Sequence, residues 1–284
     1  METPPVIYKI SKEEWRDLEL AKSLLENPGF AMRLANMIGA PIEKGFSLLP
    51  RGWNETVNKA AKGALLRSLE LAVATLGKKH RRRSKELFHK VLVGTSGGIG
   101  GAFGLAALPI ELPISTAIML RSIADIARSE GHDISQVQTK LDCLEVFALG
   151  GHVEAADAAE SAYWVTRAAL GKTVADAATY LAQKGVVKES APVIVRLINE
   201  LASRFGVMVS EEVAAKAIPI IGAAGGGIIN ILFIAHFQDM ARGHFIVRRL
   251  EARHGTERVR SIYEEIPMKT SKARLQIPPR LQLT

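Results

Sequence analysis

The sequence predicts an all-α chain, a single helical domain built around two glycine-rich apolar helical elements with no sheet. Three observations predict it. Apolar residues make up 48% of the 284 residues and aromatics only 6%, so the excess lies in small and aliphatic side chains that suit close-packed helices. The segments before residue 77 repeat apolar positions at i, i+3 and i+4, and none is a β-branched alternation. Two apolar blocks, Val91–Ala127 and Ala217–Phe237, carry glycines four apart. On a helix that spacing leaves shallow grooves where another backbone can come close.

The elements follow in order. Residues 1–10 are an N-terminal extension, METPPVIYKI, with an early acid, two prolines and no apolar core of a secretory signal. Ser11-Lys-Glu-Glu14 is a capping box. It opens a helix through Trp15, Leu18, Leu24 and Leu25 that Asn27-Pro28-Gly29 stops. Phe30 to Phe46 reads as a second helix, bent or interrupted at Pro41. Trp53 to Leu76 reads as a third, with Val57, Ala61, Ala64, Leu65, Leu69 and Val73 on its apolar side. The first apolar block then forms a hairpin. Its arm Val91–Leu108 carries Gly94/Gly98, Gly97/Gly101 and Gly100/Gly104. Pro109 and Pro113 break the helix, Glu111 sits in the elbow, and Ile114–Arg128 runs back.

Gly131-His132-Asp133 ends that arm, and Ser135–Leu149 resumes a helix containing Cys143 and Glu145 until Gly150-Gly151. Helices are expected over Val153–Leu170, Val174–Lys184 and Pro192–Phe205, the last burying Val195, Leu197, Ile198 and Leu201. Phe205-Gly206 closes it and Ser210-Glu-Glu starts another. The second apolar block leads into HFQDMARGHFIVRRLEARHG, amphipathic and basic. The helical domain thus spans 11–266, and a proline-containing tail without fixed structure spans 267–284.

Charge and cysteine usage bound the setting. Net charge is +8, which permits an anionic membrane or nucleic acid as partner. The densest basic run, KKHRRRSK, holds Lys78, Lys79, Arg81, Arg82 and Arg83 directly before the first apolar block. Its position favours contact with anionic head groups, equally weighted with plain solvation. Nucleic acid is not expected, because no aromatic residue is interleaved for stacking. One cysteine allows no internal disulfide, which reads as a reducing cytoplasm. Both apolar blocks reach the length of a span, about 20 residues. Arg121, Asp125 and Arg128 interrupt the first, at about 2.5–3.5 kcal/mol each at mid-bilayer. Buried bundle helices are the favoured reading of both.

The chain carries no HExxH, paired CxxC, GxSxG, Walker A or EF-hand loop. No strand precedes GTSGGIGG and no Lys-Ser/Thr follows it, so close helix packing explains its glycines better than a phosphate does. His236, Asp239 and Arg242 are successive i+3 steps, with His244 just beyond. Such a face can hold a metal if a second helix supplies more ligands; Glu111 and Asp125 are the acids nearest apolar surroundings. The favoured alternative is a polar network, Asp239–Arg242 and Arg121–Asp125, that fixes register between the two central elements. His152, Glu154, Asp157 and Glu160 make a looser acidic face exposed to solvent.

The chain resembles the EcsC family of bacterial proteins. The resemblance rests on GTSGGIGGAFGLAALPIELP, LRSIADIA and GHD within Gly94–Asp133, on LEVFALGG at Leu144–Gly151, and on the continuous stretch Phe205–Gly255. It implies a helical cytoplasmic protein in a membrane-linked setting, since the family is named for an operon that also encodes an ABC transporter. Glu111, Arg121, Asp125, Asp239, Arg242 and His244 match its polar pattern. The expectation is therefore a basic, membrane-associated accessory or interaction protein, peripheral at the inner face of the cytoplasmic membrane. It needs no catalysis and no cofactor, and its partner is an anionic surface or a transporter-linked membrane protein. The alternative is a metal-dependent hydrolase using Glu111, Asp125, His236, Asp239 and His244 between the central elements.

Overall fold

A computed structural model describes residues 10–26, 30–39, 41–77, 104–150, 161–218 and 222–267. Among them are ten α-helices and no strand: α1 (Lys12–Leu25), α2 (Phe30–Ile38), α3 (Glu43–Ser47), α4 (Trp53–Thr75), α5 (Gly104–Ser129), α6 (Val137–Glu145), α7 (Ala162–Lys184), α8 (Pro192–Ala217), α9 (Gly222–His254) and α10 (Thr256–Glu265). A 3-10 turn, Val146–Ala148, extends α6. The all-α expectation holds. The glycine arm before Gly104, the basic run at Lys78–Lys85, the acidic face at His152–Glu160 and the tail from 268 lie outside the described residues.

Helices α4, α5, α8 and α9 form the centre, with α4 against α5 and α8, and α5 against α9. Leu65 and Leu69 of α4, Met119 and Leu120 of α5, Phe205 of α8 and Phe237 of α9 are all fully buried there. Each such side chain contributes roughly 1.5–3 kcal/mol by leaving water. The rings of Phe147, Phe205, Phe233 and Phe237 meet edge-on or tilted at 5.0–6.3 Å, the arrangement their quadrupoles favour.

Helix α1 lies along α9. The capping box is present: the Glu14 amide donates to Ser11 Oγ at 3.1 Å and the Ser11 amide to Glu14 Oε2 at 3.0 Å. Glu14 also faces His254 Nε2 at 3.0 Å, a bond that holds its carboxyl down at about 2. The cap of α1 thus ties down the end of α9. Lys22 of α1 is buried and donates to the carbonyls of Tyr263 and Ile266 at 2.7 and 2.6 Å. A lysine ammonium there satisfies the orphan carbonyls at the C-terminus of α10.

Several local expectations are corrected. Pro109 and Pro113 do not make an elbow; both lie inside the continuous α5. They stand four apart near its exposed Ile110 and Ile114, where water can satisfy the carbonyls that their missing N–H groups leave free. Gly206 does not end a helix, and α8 runs through it. A Cβ there would come within 3.1 Å of Asn58 Oδ1, so the glycine serves the approach of α4. Ser210 caps nothing; its Oγ donates back to the Gly206 carbonyl at 2.7 Å. Val195 is exposed, and Ile194 takes the buried position instead. The helix read over Phe30–Phe46 is interrupted around Pro41, as one of its two readings had it, into α2 and α3, while α7 runs unbroken through Gly171.

Candidate functional site

Three helices each bring a polar stripe to one buried place. Asp142 and Glu145 lie i, i+3 on α6. Tyr163 and Arg167 lie i, i+4 on α7, and His244, Arg248 and Glu251 lie i, i+4, i+7 on α9. These spacings put each set on one helix face. Asp142, Glu145, Tyr163, His244 and Glu251 are buried.

Arg167 grips Glu251 through both carboxylate oxygens at 2.8 and 3.0 Å, a bidentate pair. The same guanidinium lies 3.3 Å from the Tyr163 hydroxyl and stacks over Trp164 at 5.1 Å. Arg248 bridges Glu251 at 3.2 Å and Asp142 at 3.3 and 3.5 Å. Gln138 donates to Asp142 at 2.8 Å. The Tyr163 hydroxyl meets His244 Nδ1 at 3.1 Å, and His244 Nε2 has no partner among the described residues. Among the described residues, Asp142, Glu145 and His244 offer ligand atoms within 4.8 Å of one another.

Burial sets the protonation states. It pushes the Glu145 carboxyl up to about 7, with Arg167 the strongest pull the other way. It drives His244 well below the ordinary imidazole range, assisted by Arg167 and Arg248. It raises the Tyr163 phenol and the Cys143 thiol, so neither ionises near neutrality. Three carboxyl groups, that of Glu145 titrating near neutrality, face two guanidiniums and a neutral histidine.

The residues singled out in the sequence mostly sit elsewhere. Of the five hydrolase candidates, only His244 belongs to this cluster. Asp125 is exposed and pairs with Arg128 at 2.7 Å, so the expected Arg121–Asp125 bridge is replaced by one a turn further on. Asp239 pairs with Arg33 of α2 at 3.1 Å, because α2 docks on α9 there. Arg242, which was expected to hold Asp239, is exposed and acts on it only through its field. His236 is buried between Phe30 and Phe237, at centroid distances of 5.6 and 5.4 Å, with neither ring nitrogen partnered among the described residues. Burial, assisted by the nearby Arg33, lowers its pKa to about 3. Glu111 is half-buried on α5. The cluster's other members were missed, although Glu145 inside the apolar LEVFALGG and the i, i+4, i+7 stripe on α9 were visible signals.

The family model for the EcsC protein family matches residues 12–250. The chain belongs to this family. The EcsC match includes every member of the cluster except Glu251, one residue past its end. No curated protein sequence and no solved structure shows a significant match to the chain.

The EcsC chain also has an open cleft of about 630 Å³, bordered by Phe30, Met32, Asn36, Pro41, Glu43 and Glu211. Burial pushes Glu211 up to about 7, while the Ala31 amide at the start of α2 pulls it down. A carboxyl whose folded pKa is raised stabilises the fold fully below the unfolded value of 4.5 and loses that contribution as pH rises through about 7. The loss amounts to roughly 2–3 kcal/mol. Glu211→Gln keeps an acceptor for Ala31 without the charge. Urea unfolding should find it more stable than the parent at pH 8 and equal at pH 4.5. Equal stability at both values would show that the cleft hydrates the carboxylate.

Proposed function

We propose that this EcsC protein is a membrane-associated accessory or interaction protein without chemistry of its own, peripheral at the inner face of the cytoplasmic membrane. Four exposed isoleucines carry the reading: Ile110 at 70% and Ile114 at 48% on α5, with Ile228 and Ile231 at 51% each on α9. Gln238 of α9 reaches Ser122 of α5 at 2.8 Å, and Arg249 reaches Glu130 at 3.0 Å. Both pairs advance along the two helices in the same sense, so α5 and α9 run parallel and begin at the same end. Ile114 and Ile231 stand at nearly equal distances before the first pair, as do Ile110 and Ile228. An apolar helix end of this kind suits shallow insertion at a membrane surface. No helix among the described residues is long and apolar enough to cross a membrane.

In this reading Lys78, Lys79, Arg81, Arg82 and Arg83 hold the head groups, each contributing about 1 kcal/mol near such a surface. The same end would meet a transporter-linked membrane protein. The test is co-sedimentation with phosphatidylglycerol-rich vesicles against pure phosphatidylcholine. Replacing the five basic residues with Glu should cost on the order of a thousandfold in partitioning with the helical signal unchanged. Ile110→Asp together with Ile231→Asp should abolish what binding persists at high salt. Binding that ignores lipid charge and both variants would refute the proposal.

A further inference from the structure

We propose that Asp142, Glu145 and His244 form a binding site for one divalent transition-metal ion of the zinc type, which clamps α6 to α9. The layout is the one helical bundles use for such ions: acidic side chains spaced i, i+3 on one helix, met by an imidazole from the facing helix. The three ligand atoms lie within 4.8 Å of one another. Ligand atoms stand about 3.4 Å apart around a tetrahedral zinc and up to about 4.2 Å across an octahedral ion. Small rotamer adjustments therefore close the site without moving a helix.

The histidine is the independent observation. Its ring is wholly buried, and Nε2 has no hydrogen-bond partner among the described residues, a condition that native interiors rarely leave unanswered. Its other nitrogen is held by the Tyr163 hydroxyl at 3.1 Å. A second partner on the far nitrogen is how metal-binding histidines are oriented, and it leaves the Nε2 lone pair for the ion. An imidazole in the set favours zinc and its neighbours over magnesium or calcium.

Charge agrees. Three acidic side chains, Asp142, Glu145 and Glu251, meet two guanidiniums, Arg167 and Arg248, so a cation at the carboxyl edge is not opposed by net positive charge. Arg248 can yield Asp142, because its contacts there, at 3.3 and 3.5 Å, are longer than its 3.2 Å bond to Glu251. A carboxylate has about four acceptor positions, so Asp142 can keep Gln138 while ligating.

The test uses the full chain, untagged and stripped by chelator dialysis, titrated with Zn²⁺ alone and followed by calorimetry and thermal unfolding. One equivalent should bind and raise the unfolding temperature. Glu145→Gln and Asp142→Asn, which preserve shape, should each weaken binding by at least about 30-fold. Losing a ligand costs more than losing a supporting contact, which alone is worth about 10–100-fold. Should Asp142→Asn fail to fold, Glu145→Gln carries the comparison. Asp239→Asn, away from the site, should bind like the parent. Folded parent protein that takes up no Zn²⁺ would overturn the site in favour of a merely protonated Glu145. Uptake that both amide variants leave unchanged would overturn it as well. Vesicle binding by Glu145→Gln should match the parent, so the site and the membrane reading can fail separately.

Discussion

Arg167→Met should lower the unfolding free energy by about 3–5 kcal/mol, the usual cost of removing one partner from a buried ion pair. Arg167 and Glu251 are only 14% and 4% exposed and meet in a bidentate pair. The methionine fills much of the same volume over Trp164, so lost packing is small. What changes is that Glu251 keeps only Arg248, while Glu145 loses the strongest charge favouring its ionised form. The intact pair need not stabilise the fold relative to apolar residues, since desolvation offsets most of its attraction; the stranded carboxylates supply the penalty. Arg167→Met with Glu251→Gln should therefore recover most of the loss. The coupling between the two positions in urea unfolding should exceed about 2 kcal/mol. A single variant that costs less than about 1 kcal/mol would mean that water reaches the cluster and screens it.

That cluster also shows what could be read in advance. The helices announced themselves through period and punctuation: Ser11 and Glu14 form the cap their spacing dictates, and α4 buries Val57, Ala61, Ala64, Leu65 and Leu69 as expected. Local rules failed where tertiary contacts override them. Pro109, Pro113 and Gly206 are breakers by propensity, yet long helices packed along much of their length carry all three. Site residues were harder for a different reason. His236, Asp239 and Arg242 share a spacing on one helix, but a spacing cannot tell which neighbour docks against it. Docking of α2 gave Asp239 to Arg33, and burial among phenylalanines gave His236 no polar partner. The real convergence joins three helices separated by long stretches of chain. Its parts read individually as ordinary surface pairs, apart from Glu145, whose apolar neighbours marked it as buried. His244 was legible because it lies just beyond the i+3 steps of His236, Asp239 and Arg242, and only the fold supplies Asp142 and Tyr163 beside it.

Gly45→Ala should destabilise the protein by about 2–4 kcal/mol, at or above the upper range for overpacking. A Cβ on Gly45 would stand 2.1 Å from the Ala214 carbonyl oxygen and 2.5 Å from its carbon. Both are backbone atoms in the last turn of α8, which no rotamer change can move aside. The methyl group would force α3 away from α8 and open the wall beside Ile42 and Phe46. Gly63→Ala is the control, since nothing lies within 4 Å of a Cβ there and the residue sits inside α4. It should stabilise the chain by about 0.5–1 kcal/mol, because alanine is the better helix former and restricts the unfolded chain. Urea unfolding of the two variants thus reads opposite signs from one chemical change. Equal effects would mean that α3 is not seated on α8 and that Gly45 is a turn residue like any other. Opposite signs would fix α3 at backbone contact with α8, three residues from the Glu211 carboxyl that borders the cleft.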